Sequence, residues 1–233
     1  MGTDGLGPQN LDPATPVVPR LAASVILLRG GEQDLQVLLV KRTTRARFMA
    51  GAWVFPGGAV DAREGADDAG QRAAAVRELR EEAGVALPDP AALVKFSRWI
   101  TPSRVRIRYD THFFLAELPP LQTAAVDGEE CVDLRWLRPA QALAAHRSQE
   151  ILLVFPTIKH LEQLGEFGSV DALLSYARGR EVHAVQPRIL RARPGEHTEH
   201  DGEHDEGLDT LRACGEVARL VLPGEPGYDD LPA

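Results

Sequence analysis

The sequence predicts an α/β fold: an α/β/α sandwich built on a mixed sheet, with a C-terminal extension. Two observations carry this. Short alternating or continuous apolar runs bounded by Gly and Pro recur along the first two thirds of the chain, and helix-period segments stand between them and after them. One of those helices ends in an unusual density of carboxylates, Arg77-Glu-Leu-Arg-Glu-Glu-Ala-Gly-Val85.

Residues 1–19 hold four prolines and little apolar periodicity, which predicts a flexible lead-in. Two strands are expected at 22–29 and 35–41, joined by a Gly30-Gly31 turn. A basic stretch, Arg42 to Arg47, precedes Trp53-Val-Phe-Pro-Gly-Gly58, which reads as a short strand running into a glycine turn. A helix follows from about residue 69 to 83, stopped by Gly84, which suits the left-handed position after a helix end. Strands are expected at 94–100, 106–116 and 132–137. Helices are expected at 139–146, where proline fits the first turn, and at 155–164 and 170–178. The remainder reads as two strands, 182–192 and 217–222, around a polar hairpin that contains His197, His200 and His204 among many acids. That hairpin reads as a solvated loop rather than a fixed metal site, because no regular spacing holds the histidines.

The acidic helix suggests chemistry. At about 100° per residue, Glu81 and Glu82 lie roughly 60° and 40° to either side of Glu78. Three carboxylates that close repel one another and weaken a bare helix. A hard divalent ion such as Mg²⁺ or Mn²⁺ reverses that, because it takes oxygen ligands and bridges them to phosphates. Val76, Leu79 and Ala83 share another side, so the helix has a packed face and an acidic one. Arg77 stands beside the acids and can orient one of them by a forked hydrogen bond.

The series of strand, Gly-Gly, loop and acidic helix resembles the Nudix hydrolase superfamily. Its signature is Gly, five residues, Glu, seven residues, then Arg-Glu-apolar-x-Glu-Glu-x-Gly-apolar. Arg77, Glu78, Leu79, Glu81, Glu82, Gly84 and Val85 match the second half, and Gly58 and Glu64 match the first. One departure is the spacing: thirteen positions separate Glu64 from Arg77 where the pattern has eight, so five residues must loop out. A surface loop absorbs such an insertion at little cost.

The resemblance implies the Nudix α/β/α fold for residues 20–165, with residues 166–233 as a helix and hairpin extension packed on the domain. It also implies a Mg²⁺- or Mn²⁺-dependent diphosphohydrolase. Glu78 and Glu82 are expected as the main ligands, Glu81 as a ligand or the water-orienting base, and the Gly58 carbonyl as a further ligand. Arg77 is expected to orient a ligand. A base from another loop is also expected in some members, and Glu130 is the candidate here, ahead of Glu129.

The wider chain is similar to the branch of the peroxisomal coenzyme A diphosphatases, the Nudix motif nineteen type. The segments that carry this are 48–58, Trp99-Ile-Thr-Pro102, Arg108-Tyr-Asp-Thr-His-Phe-Phe114, Phe155-Pro-Thr157 and 222–228. The branch implies hydrolysis of coenzyme A or acyl-CoA to 3′,5′-ADP and a phosphopantetheine. ADP-ribose, nucleotide sugars or damaged nucleotides are the alternative substrates, and a non-catalytic nucleotide sensor is the alternative of another class. Arg104, Arg106 and Arg108 alternate, so as a strand they would share one face and grip phosphate. Arg42, Arg45 and Arg47 are a second phosphate candidate. Trp53, Phe55 and Trp136 read as core rather than as an adenine platform.

Composition sets the remaining bounds. The 233 residues carry a net charge of −8, which argues against a broad nucleic-acid surface. The two cysteines, Cys131 and Cys214, give neither a disulfide framework nor a zinc spacing. No apolar run approaches the length needed to span a bilayer, and the start lacks the pattern of a signal peptide, so a cytoplasmic protein without a membrane partner is expected. A homodimer is expected only by analogy with the superfamily.

Overall fold

A computed structural model describes residues 17–46, 49–191, 210–213 and 216–231. Most of the lead-in, Arg47, Cys214 and the histidine-rich stretch therefore lie outside the described residues. Strands β1 (Arg20–Arg29), β2 (Gln36–Arg42), β3 (Trp53–Val54) and β4 (Gly57–Ala59) precede helix α1 (Asp68–Ala83). Then come β5 (Val94–Ile100), β6 (Tyr109–Glu117) and β7 (Cys131–Leu137). Helices α2 (Pro139–Arg147), α3 (Phe155–Leu164) and α4 (Val170–Arg178) follow in succession. The chain continues through β8 (Ala184–Val185), β9 (Arg188–Arg191), β10 (Thr210–Ala213) and β11 (Glu216–Val221).

Eight of these strands form one mixed sheet in the order β3-β2-β1-β6-β5-β8, with β4 added on β1 and β7 on β2. β1 pairs in parallel with β6, and β5 with β8; the other pairings in this sheet are antiparallel. The centre of the sheet is buried on both faces, and its side chains sort by the period of two. Val25, Leu27, Leu38 and Val40 face α1, where they meet Ala74, Ala75, Leu79 and Ala83. Ile26, Leu28, Val37 and Leu39 face the other way, onto Ile158, Leu161 and Leu164 of α3 and Leu173 of α4. The expected α/β/α sandwich is therefore observed.

α1 starts where the Asp67 carboxylate accepts from the Gly70 N–H at 2.9 Å, and it ends at Gly84 with φ of 66°. The lengthened loop before it folds back onto its first turn. A Cβ on Gly70 would stand 2.4 Å from the Glu64 carbonyl oxygen, so the loop seats against a bare backbone.

Three local expectations are corrected. Gly57-Gly58 is not a turn but part of β4, paired with Ser24 and Ala23 of β1. The strand expected from residue 106 begins at Tyr109; residues 103–104 form a turn, Val105 an isolated bridge and residues 106–107 a bend. The strand expected over 182–192 is two strands in different sheets. β8 closes the main sheet on β5, and β9 joins a small antiparallel sheet, β10-β11-β9. Pro187 lies at the break, where its missing N–H and fixed φ disfavour a continuous ladder.

Candidate active site

β4 lies against α1, and this contact builds the acidic end of a cleft. A Cβ on Gly58 would sit 2.4 Å from Glu78 Oε1, so only glycine lets the strand backbone come this close to the carboxylate. One turn further along α1, Glu82 is only 2% exposed. Its Oε2 accepts from the Gly57 N–H at 2.9 Å, and its Oε1 faces Arg42 Nη1 at 3.5 Å.

Burial raises both carboxyl pKa values. Glu82 is pushed up to about 7, against the pull of the Gly57 N–H and Arg42; Glu78 is raised too, against the pull of Arg77. Glu130 adds negative potential to both. Cys131, buried next to Glu82, is a reduced thiol whose pKa is raised by burial and by that carboxylate.

Arg77 ties the acids together from the side. Its Nε donates to Glu64 Oε1 at 2.8 Å and its Nη2 to Glu64 Oε2 at 3.2 Å. Its Nη1 donates to Glu78 Oε1 at 2.7 Å and to Glu81 Oε2 at 3.0 Å, and Nη2 also reaches the Ala59 carbonyl at 3.1 Å. The five extra residues therefore leave Glu64 in contact with Arg77, which holds its carboxyl below the usual range against the cost of burial. Glu81 is the outlier of the acidic run. Its side chain is 58% exposed, it leans on Arg77, and it does not line the cleft.

The cleft has a volume of about 450 Å³. Arg42, Glu78, Glu82 and Glu130 provide every Asp, Glu, Lys or Arg of its lining among the described residues. From there the cleft crosses the sheet. Strand register sets Ala59 of β4 beside Ala22 of β1, then Thr111 of β6, Trp99 of β5 and Val185 of β8. Four inter-strand steps of about 4.8 Å make that row about 19 Å long. Beyond Thr111 the lining is largely apolar, with Trp99, Ile100, Pro102, Phe155, Pro187 and Leu220.

Of the expected site residues, Glu78, Glu82, Gly58 and Glu130 come together in this cleft; Arg77 stands behind them. The arginine row does not form. Arg104 and Arg106 lie in the turn before β6, so no strand face unites them with Arg108. Arg108 is buried, donating from Nε and Nη2 to the Thr101 carbonyl and from Nη1 to the Val17 carbonyl. It anchors the chain rather than facing the cleft, because its donors are already spent on backbone oxygens. Of the second arginine set, Arg42 reaches the cleft, where its buried Nε has no acceptor. Arg45 does not line the cleft, and Arg47 is outside the described residues.

Trp53 and Phe55 are core residues, 2% and 3% exposed, although Phe55 also shows an edge to the cleft. Trp136 packs under Arg29, at 4.3 Å from the guanidinium to the ring. Trp99, Phe155, Pro187, Leu220 and His146 are cleft residues that sequence reasoning missed. Only Trp99 and Phe155 carried a signal, because they lie in the Trp99–Pro102 and Phe155–Thr157 segments of the branch resemblance.

A family model described as the NUDIX domain matches residues 18–155. The chain belongs to the NUDIX family. This Nudix hydrolase is 33% identical over 118 residues to the acyl-coenzyme A diphosphatase NUDT19 of Gallus gallus, a match covering 47% of this chain and 31% of the relative. It is 32% identical over 113 residues to NUDT19 of Homo sapiens, covering 46% and 30%. The matched region is thus under a third of either relative. A crystal structure of a NUDIX hydrolase from Alicyclobacillus acidocaldarius is similar with a TM-score of 0.61 and 25% identity, over 68% of this chain and 96% of that one.

Proposed function

We propose that this Nudix hydrolase is a Mg²⁺- or Mn²⁺-dependent diphosphatase of coenzyme A or acyl-CoA, releasing 3′,5′-ADP and the corresponding phosphopantetheine. The observation that carries it is the cleft itself. An acidic end suited to an ion and a diphosphate opens into a long, largely apolar trough, a shape that suits a pantetheine-type chain better than a second sugar.

The donor set fits a hard dication. Half-buried Glu78 and buried Glu82 are carboxylates with raised pKa values, and the Gly58 backbone lies against Glu78. Among the described residues no three acidic, histidine or cysteine side chains already form a ligand cluster. The reason is visible in the contacts: Arg77 holds Glu78 and Glu81, and Arg42 with Gly57 holds Glu82. Glu78, Glu82 and the Gly58 carbonyl would hold the ion, with Glu81 joining on release from Arg77. When bound, the ion supplies Lewis-acid stabilisation of phosphate charge and a more acidic water.

The chain's own residues do the rest. Arg77 positions Glu78 and Glu81. Arg42, which lines the cleft beside Glu82, offers the diphosphate a cation. Glu130, exposed at the cleft edge, accepts the water proton, with Glu81 as the other candidate base.

The test is a panel of free coenzyme A, acyl-CoA, ADP-ribose, a nucleotide sugar and an oxidised nucleotide, with and without Mn²⁺ or Mg²⁺. Metal-dependent release of 3′,5′-ADP is expected to dominate. Faster cleavage of ADP-ribose would overturn the substrate, and tight binding without cleavage of any compound would overturn the enzyme reading.

A further inference from the structure

We propose that the C-terminal segment is a specificity element of this cleft: Pro187 and Leu220 wall its far end together with Trp99 and Phe155, and that end seats the aliphatic chain of an acyl-CoA. The proposal rests on the coenzyme A reading above and adds the residues that select within that class.

The geometry comes from strand register. The row from Ala59 to Val185 is about 19 Å long, measured across β4, β1, β6, β5 and β8. An extended chain advances about 1.2 Å per bond, so a phosphopantetheine, about 13 bonds from phosphorus to sulfur, covers about 16 Å. With its phosphate at the Gly58 end, the sulfur falls near Trp99 and β8. The acyl group then begins where Pro187 and Leu220 stand.

The chemistry of that end matches. Trp99 and Phe155 meet edge to face at 6.0 Å. Leu220, 4% exposed, packs with Ile189, Val105 and Phe155. No charged side chain lines this end among the described residues.

The wall is also held in place by the end of the chain. Tyr228 Oη donates to the Gln186 carbonyl at 2.8 Å, next to Pro187. Arg188 Nη1 donates to the Tyr228 and Leu231 carbonyls at 2.7 and 2.8 Å, and its guanidinium stacks over the Tyr228 ring at 4.1 Å. These contacts clip the segment after β11 onto the β8–β9 link, so Pro187 and Leu220 are presented as a firm surface.

The experiment measures kcat/KM for free, acetyl-, hexanoyl- and decanoyl-CoA with the full chain and Mn²⁺, and binding of the same compounds in EDTA by calorimetry. Each buried methylene is expected to raise kcat/KM about fourfold until the end is filled. Three buried methylenes predict a decanoyl-to-acetyl ratio of at least about 50, with a parallel trend in binding. Leu220→Trp, which fills the end, and Leu220→Ala, which opens it, are both expected to lower that ratio; a thermal melt checks that each folds. A wild-type ratio within about threefold, or a ratio unchanged in both variants, overturns the proposal while leaving coenzyme A cleavage standing. Failure to cleave any coenzyme A compound, with ADP-ribose cleaved, instead overturns the reading on which it rests.

Discussion

The two ends of the cleft are built by different means. The acidic end comes almost entirely from one helix and the strand lying on it: Glu78, Glu82 and Arg77 from α1, with Gly57 and Gly58 from β4. The apolar end is collected from five places: β5, the turn after it, the start of α3, the β8–β9 link and β11. Chemistry at the first end demands particular atoms at particular spacings, so its residues cannot be exchanged. The second end demands only shape and apolarity, which many residues supply.

The largest expected effects fall at the acidic end. Glu82→Gln and Glu78→Gln should each cut metal-dependent turnover by at least about 10²-fold if, as proposed, each carboxylate is an oxygen ligand at the point of charge neutralisation. Steady-state kinetics at saturating Mn²⁺ check this. The metal-free thermal stability of Glu82→Gln should be equal to or above that of the wild type, since a costly buried carboxylate is gone. A large loss of stability with the activity would mean that Glu82 is a structural residue.

Gly58→Ala is a sharper probe, because it leaves every charged side chain of the cleft in the sequence. Its Cβ would stand 2.4 Å from Glu78 Oε1, so either β4 or the carboxylate must shift. Turnover should fall about 10- to 100-fold, in the range seen when a metal ligand is misoriented. A variant with full activity and unchanged metal affinity would show that the close approach of β4 to Glu78 is unimportant.

The smallest effect contrasts the two ends by pH. Glu82 has a folded pKa of about 7 against an ordinary 4.5, so the folded metal-free state holds the extra proton between these values. Its contribution to stability is greatest below pH 4.5 and falls as pH rises through 7; metal affinity follows the opposite course, rising toward pH 7.

His160 lies beneath the apolar end, 1% exposed among Phe55, Phe96, Trp99 and Phe113. Its Nε2 pairs with Ser97 Oγ at 2.6 Å, while Nδ1 faces the Pro156 carbonyl without closing a hydrogen bond. Burial pushes its pKa down to about 3 from 6.5, so here the unfolded state holds the extra proton between these values. That stability is complete above pH 6.5 and is lost as pH falls toward 3. In the Glu82→Gln background, His160 should contribute about 1.4 kcal/mol less stability in denaturant melts at pH 5.5 than well above pH 6.5, and His160→Asn should reduce the slope by that amount, leaving the part from His112, whose pKa burial also lowers. A slope unchanged by the His160 substitution would assign the acid sensitivity elsewhere.

Much of the fold was readable in advance. α3, α4 and β5 fall on the bounds expected from periodicity and flanking residues, and α1 differs by one residue at its start. The failures have physical reasons. Gly57-Gly58 looked like a turn because glycine is the commonest turn residue, yet here glycine serves the close approach of two elements. Arg104, Arg106 and Arg108 looked like one face because alternation implies a strand, but the strand starts after them and Arg108 turns inward to backbone carbonyls. The run at 182–192 looked continuous, and Pro187 sends its halves into two sheets.

By itself, the sequence determined the sandwich, the acidic helix and the residue types of the reaction end. These follow from local periodicity and from atoms that must stand one helical turn apart, and both are written in short stretches of chain. Only the tertiary structure decided that Arg42 rather than Arg108 lines the cleft, that Glu81 starts outside it, and that Pro187 and Leu220 wall its far end. Those outcomes depend on which distant segments share a sheet and a register, and no neighbouring residue in the chain records that.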